Sequence, residues 1–236
     1  MELLKLPLEL ILNITDYLSD RSINRLASTS RQLHTALLPL SYKVNAKENC
    51  CSALHFGIIE NRISTTIKAL ENGAALDKIS FAGPTAFTYT ARYGSLEMLR
   101  LLLSYDEHQL NEIDGNLETA LMVAVCRENV EVVRFLVAQS GVNCNYTESG
   151  VSILRCAVRS GNLEIVGLLL DSPDTDVATA GWDSFGPLGG AAFLGQLEVM
   201  KLMMQKRPHL DLHAPDKRTK YVLHQAVQGE REEVVR

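Results

Sequence analysis

The sequence has no paired-cysteine spacing, no glycine-rich phosphate loop, no long uninterrupted apolar run and no surplus of positive charge. Each lack removes a class of function. The five cysteines (Cys50, Cys51, Cys126, Cys144 and Cys156) contain no CxxC and are odd in number. Disulfide frameworks serve small secreted domains that cannot build a core. A chain of 236 residues at 46% hydrophobic needs none, so reduced thiols in the cytoplasm or nucleus are the plain expectation. A net charge of -5 argues against a general nucleic-acid binder. Leu3 to Leu18 is apolar, but Lys5, Glu9, Asn13 and Asp16 interrupt it at helical intervals, and no small-residue cleavage site follows. Neither a signal peptide nor a membrane span is expected there. The N-x-T sequons at Asn13 and Asn145 then read as chance matches.

Catalytic signatures are lacking too. There is no G-x-S-x-G and no HExxH. His209 and His213 have helical metal spacing, but Pro208 and Pro215 bracket them in a loop, which argues against a built metal site. No catalytic residue, metal or cofactor is expected. Cys50-Cys51 reads as a buried join rather than a redox pair.

What is present is repetition. Gly161-Asn162-Leu163-Glu164-Ile165-Val166 has counterparts starting at Gly94, Glu128, Gly195 and Glu230, and a weak one at Asn61. The starts at 61, 94, 128, 161, 195 and 230 step by 33, 34, 33, 34 and 35, and a fixed period of this length marks stacked repeats. A second pattern precedes each copy: Ser52-Ala53-Leu54, Thr85-Ala86-Phe87, Thr119-Ala120-Leu121, Ser152-Ile153-Leu154, Gly186-Pro187-Leu188 and Tyr221-Val222-Leu223. Three residues after each apolar anchor stands a small residue: Gly57, Thr90, Ala124, Ala157, Ala191 and Ala226. Neighbouring helices approach closely only where such a site is small. The Ser or Thr ahead of the helix suits an N-cap. Gly94, Gly161 and Gly195 suit a left-handed turn between two helices, Asn61 tolerates it, and Glu128 and Glu230 fit it less well. Leu163, Val166, Leu169 and Leu170 form the apolar stripe of a second helix. Each unit is therefore helix, tight turn, helix and polar loop, and buries its stripe only by stacking. Glu97, Glu131, Glu164 and Glu198 recur in register at helix starts, where the helix dipole favours them.

These residues resemble the ankyrin repeat. Leu54-His55 and Leu223-His224 keep part of its Thr-Pro-Leu-His-x-Ala signature, most copies keep Gly-x-Leu-Glu-x-Val, and Thr-Pro is nowhere intact. The resemblance covers 51–236, in units of approximately 51–82, 83–116, 117–149, 150–183, 184–218 and an incomplete 219–236. Ser64-Thr65-Thr66-Ile67 makes the second helix of the first unit the weakest. The chain ends inside the last second helix, as a fragment or shortened gene model would. Leu223, Ala226 and Val234 would be left half covered there, and if this is the whole protein a frayed end after about Thr219 is expected.

Residues 1–42 differ. Pro7 suits a first helical turn, and Leu10, Ile11, Ile14 and Leu18 share one helix face. Ser19-Asp20 would cap a second helix burying Ile23 and Leu26. Ser30 would open a third with Leu33, Leu37 and Leu38, ended by Pro39. Leu6-Pro7-x-Glu9, Ile14, Tyr17-Leu18, Ile23, Leu26, Thr29-Ser30-Arg31 and Leu33 resemble an F-box over residues 4 to 40, with Tyr42 similar to the Pro-x-x-Tyr tail of many fungal examples. Thr29-Ser30 replaces the frequent Val-Cys. The resemblance implies docking on the Skp-type adaptor of a cullin-RING ubiquitin ligase through Leu6, Pro7, Ile11, Ile14, Leu18 and Leu26. The same helices could instead only cap the repeats of a non-ubiquitin scaffold, since terminal repeats need a polar cover. Residues 43–50 make a short join.

The expected fold is thus all-α: a three-helix module followed by a solenoid of about six helix-turn-helix units. Ankyrin resemblance implies target binding through loop tips and first helices. The candidates are Phe81, Asp114, Asn116, Glu148, Trp182 and Asp183 at tips, with Arg92 and Arg159 in one helical register around Cys126. Trp182 is the only Trp, a residue enriched in binding hot spots. Expected partners are the adaptor, the cullin ligase core and an unknown target protein, with no nucleic acid and no membrane.

Overall fold

The computed structural model describes residues 22, 23, 25, 37, 52–74, 76, 83–93, 95–177, 186–210 and 222–235. Ile23 and Leu37, expected on buried helix faces, are helical and fully buried. Apart from residues 22, 23, 25 and 37, residues 1–51, with the six adaptor-docking candidates, lie outside the described residues, as do Phe81, Trp182, Asp183 and His213.

The described chain folds into six helix pairs. They are α1 (Ser52–Ile59) with α2 (Ile63–Glu71), α3 (Ala86–Tyr93) with α4 (Leu96–Tyr105), and α5 (Ala120–Cys126) with α6 (Val130–Val137). Then come α7 (Ile153–Ser160) with α8 (Leu163–Asp171), α9 (Pro187–Leu194) with α10 (Leu197–Lys206), and α11 (Val222–Gln228) with α12 (Glu232–Val235). First helices pack on first helices, α1 through α11, and second helices on second helices, α2 through α10. The core lies between these two layers. Its first layer is the anchor column Leu54, Phe87, Leu121, Leu154 and Leu188, all buried.

Local sequence explains each pair. The hydroxyls of Thr85, Thr119 and Ser152 accept from the backbone N–H three residues on, at 3.1, 3.3 and 3.2 Å. Ser95, Asn129 and Asn162 cap the second helices in the same way, and each cap contributes about 1 kcal/mol. Between the helices the chain makes a Schellman turn. The Asn129 N–H donates to the Ala124 carbonyl and Glu128 to Val125, both at 3.0 Å. Arg62 to Gly57, Gln196 to Ala191 and Arg231 to Ala226 repeat the longer bond. In these four units the small residue thus also supplies the carbonyl that closes the turn, whereas in the fourth unit the Asn162 N–H donates to the Ser160 hydroxyl. Glu128 and Glu230 adopt the left-handed conformation despite their side chains, with φ of 55° and 56°, beside Gly161 at 75°. Stacking enforces a turn that their residue type disfavours.

Two features depart from expectation. The loop after α6 carries a short antiparallel ladder, β1 (Thr147–Glu148) with β2 (Val151–Ser152), turned by Ser149 and Gly150 at φ 50° and 83°. A primed two-residue turn of this kind matches strand twist. At the other end, residues beyond Thr219 form α11 and α12 where fraying is expected. Leu223 is exposed, but Ala226 is fully buried and Val234 half-buried. Gly229 explains the close seat: a Cβ there would lie 2.1 Å from the Phe193 carbonyl oxygen.

Candidate protein-binding face

The face is generated by register. Two residues past the anchor, Val123, Cys156, Gly190 and Gln225 are buried, whereas Phe56 is exposed and Tyr89 half-buried in the first two repeats. Five past the anchor stand Ile59, Arg92, Cys126, Arg159, Phe193 and Gln228, and six past stand Glu60, Tyr93, Arg127, Ser160, Leu194 and Gly229. Helical geometry turns these last two columns away from the core, and most of their members are exposed. At the first two repeats the face is aromatic and aliphatic. Phe56 is 54% and Tyr93 68% exposed, with Ile59 beside them. Tyr93 stacks on Tyr89, ring centroids 4.5 Å apart. Burial, then the hydrogen bond with Tyr93, raises the Tyr89 hydroxyl above its ordinary value. At the third and fourth repeats the face turns basic, with exposed Arg127 and Arg159. Gly190 leaves room there for Arg155: a Cβ would fall 1.7 Å from the guanidinium Nη1.

The loop tips are unequal. Asp114 is buried, and its Oδ1 accepts from the Asn116 and Glu118 backbone N–H groups at 2.8 and 3.0 Å. It builds the tip rather than touching a partner, contrary to its expected role. Tyr146 donates its hydroxyl to the Leu117 carbonyl from the next repeat at 2.7 Å. The tip so held leaves Asn116 and Leu117 exposed. Arg92 pairs with Glu118 at 2.8 Å, and both side chains are about three-quarters covered. Arg92 is therefore spent largely on joining repeats, whereas Arg159, at the same register, stays exposed. Glu148 is half-buried in the ladder.

Between these arginines lie two thiols. Hydrogen bonding with Cys156 holds the Cys126 thiol down at about 7, against burial and Glu118; Arg159 adds to the lowering and Glu148 opposes it. The same hydrogen bond and burial push the Cys156 thiol up. Burial also raises Cys144.

One device escaped the sequence reading. The Asn111 side chain donates to the Gly141 carbonyl and accepts from the Asn143 N–H, both at 2.7 Å. Asn145 repeats this with Asp174 and Asp176 at 2.6 and 2.7 Å. The two asparagines are 34 residues apart, which is the signal that marks them as a stitch between successive loops. On the second-helix side, an open groove of about 650 Å³ is lined by Arg134, Glu164, Asp171, Glu198, Lys201 and Lys206. Arg134–Glu164, Lys201–Glu198 and Lys206–Asp171 are paired within it. Among the described residues there is no group of three potential metal ligands, and no helix is long and apolar enough to cross a membrane.

Comparison with known proteins agrees with this geometry. A family model for ankyrin repeats in three copies matches residues 54–148 and again 87–180, together 127 of 236 residues. A model described as F-box-like matches residues 3–41. The chain is similar to the nuclear factor NF-kappa-B p105 subunit of Gallus gallus, 23% identical over 221 residues, covering 91% of this chain and 21% of that protein. It is similar to a transient-receptor-potential-like protein of Caenorhabditis elegans, 28% identical over 148 residues, covering 52% of this chain and 14% of the other. It is also similar to the ankyrin repeat and KH domain-containing protein mask of Drosophila melanogaster, 31% identical over 97 residues, covering 39% and 2%. The chain thus spans about a fifth or less of the length of these relatives. With its repeat period, its two helical layers and these matches, the chain belongs to the ankyrin-repeat proteins and carries an N-terminal F-box-like domain, two protein-interaction modules that make it an interaction adaptor.

Proposed function

We propose that this adaptor is the substrate-recognition subunit of a Skp-cullin-F-box ubiquitin ligase, working in the cytoplasm or nucleus. The observation that carries the reading is the pairing of an F-box-like segment, residues 3–41, with a repeat stack whose first-helix face exposes Phe56, Ile59 and Tyr93. A target would seat an apolar segment on that patch and an acidic one near Arg127 and Arg159. Ubiquitin transfer then follows from proximity: tethering raises the local concentration of target at the charged ubiquitin enzyme. No covalent step falls to this chain.

Co-purification with a Skp-type adaptor tests the reading. The wild-type chain is expected to retain the adaptor, and the Leu6→Ala/Pro7→Ala double variant to lose it. No retention by a folded wild type would leave a repeat scaffold whose N-terminal helices serve as a cap.

A further inference from the structure

We infer that the first-helix face takes one extended segment of its target, an acidic stretch with an apolar residue at each end, read at a spacing of about three residues per repeat. The inference rests on the reading of this face as target-binding and adds the chemistry of what it holds. The columns five and six past each anchor cross the C-terminal ends of consecutive first helices, and their character changes in blocks. Ile59 and Tyr93, with Phe56, expose apolar surface in the first two repeats. Arg127 and Arg159 are exposed in the third and fourth, where neither makes an ion pair among the described residues. Leu194, 38% exposed, returns the face to apolar in the fifth.

A third arginine joins the middle block. Gly190 has no side chain, and the Arg155 guanidinium of the preceding repeat fills that space, where a Cβ would collide with its Nη1. The same column carries Phe56 and Tyr89 in the first two repeats, so a cation stands where aromatic rings stood. The helix dipole favours cations at helix C-termini, which suits Arg159, but Arg155 lies in the first turn of α7, where the dipole disfavours it. Of the glutamates flanking these helices, Glu118 pairs with Arg92 at 2.8 Å, Glu148 is half-buried in the ladder and Glu128 is exposed. Arg127, Arg155 and Arg159 against Glu128 and Glu148 leave the block positive, on a chain whose net charge is -5. An acidic segment is therefore its complement. Spacing follows from stacking. Packed helices lie about 8–10 Å apart, and an extended chain advances about 3.3 Å per residue, so one repeat spans roughly three residues. An aromatic or large aliphatic residue on the Phe56–Tyr93 patch sets acidic residues about three and six positions on, at Arg127 and Arg159, and a second apolar residue about nine on, at Leu194.

The test selects a displayed library of random peptides on the full chain, then measures an enriched peptide by fluorescence anisotropy. The expected motif is an aromatic or aliphatic residue followed, in either chain direction, by acidic residues at about three and six positions. Arg127→Glu/Arg159→Glu should weaken that peptide roughly tenfold or more, while Lys201→Glu, in the groove on the second-helix side, leaves it unchanged. Circular dichroism checks the fold, and Arg127→Ala/Arg159→Ala, expected to weaken binding roughly fivefold, replaces the charge reversal if that variant does not fold. No enriched peptide, enriched peptides without acidic residues, or binding unchanged in the arginine variants would overturn the inference. Adaptor co-purification from the same preparation separates the two readings. Adaptor retained with no acidic motif sinks this inference alone, and an acidic motif with no adaptor retained sinks the ligase reading alone.

Discussion

Glu128 and Gly161 occupy the same turn in successive repeats, at φ 55° and 75°, and this equivalence makes a two-sided experiment. For a residue with a Cβ, the left-handed conformation costs roughly 1–2 kcal/mol. Glycine avoids that cost but gives the unfolded chain more freedom, which offsets about 0.5–1 kcal/mol. The Glu128 carboxylate is exposed and makes no ion pair among the described residues, so nothing else is lost when it is removed. Glu128→Gly should therefore stabilise the protein by about 0.5 kcal/mol. Gly161→Ala runs the opposite way, and its new Cβ would lie 3.0 Å from the Gln196 amide nitrogen, a tight contact with a side chain that can shift. The expected loss is about 1–2 kcal/mol, a fall of roughly 3–6 °C in thermal midpoint for a chain of this size. Thermal and urea unfolding followed by circular dichroism measure both. If Glu128→Gly destabilised while Gly161→Ala was neutral, stacking would not be holding Glu128 in a disfavoured turn, and the account of these turns would fall.

Three further outcomes follow from particular contacts. Asn145→Ala removes two hydrogen bonds between successive loops and should cost about 1–2 kcal/mol. Asn145→Asp keeps the acceptor and should cost roughly half as much, and equal costs would argue against a two-bond stitch. Alkylation of Cys126 should rise with pH and reach half its plateau near 7, because the protonated thiol is inert. In urea, with the Cys156 donor gone, the midpoint should move up to about 8.5, and an unchanged midpoint would show that the folded pairing is not its cause. A Phe56→Ala/Tyr93→Ala variant removes exposed aromatic surface and should leave the thermal midpoint within about a degree while abolishing capture of a target. A large drop in stability would mean these rings are structural.

The repeat period, the two-layer helical architecture, the N-caps and the small residue of each unit were legible in the sequence because they depend on local chemistry repeated many times. A capping hydroxyl or a glycine acts within a few residues, so its spacing along the chain already states its role. The columns of the first-helix face were legible in part: Arg92, Cys126 and Arg159 share a register that any 33-residue alignment reveals. Their different roles were not. Whether an arginine is spent on a neighbour or left to solvent depends on which acidic residue the next repeat brings alongside. Glu118 meets Arg92 at 2.8 Å, and Arg159 stays exposed. Asp114 read as a contact and proved to be the scaffold of its own tip, because a carboxylate turned inward finds backbone donors that composition does not display. Sequence alone thus determined the repeating unit and the turns that close it. Tertiary stacking decided which side chains of the face remain available, since each is covered or released by a residue about one repeat away.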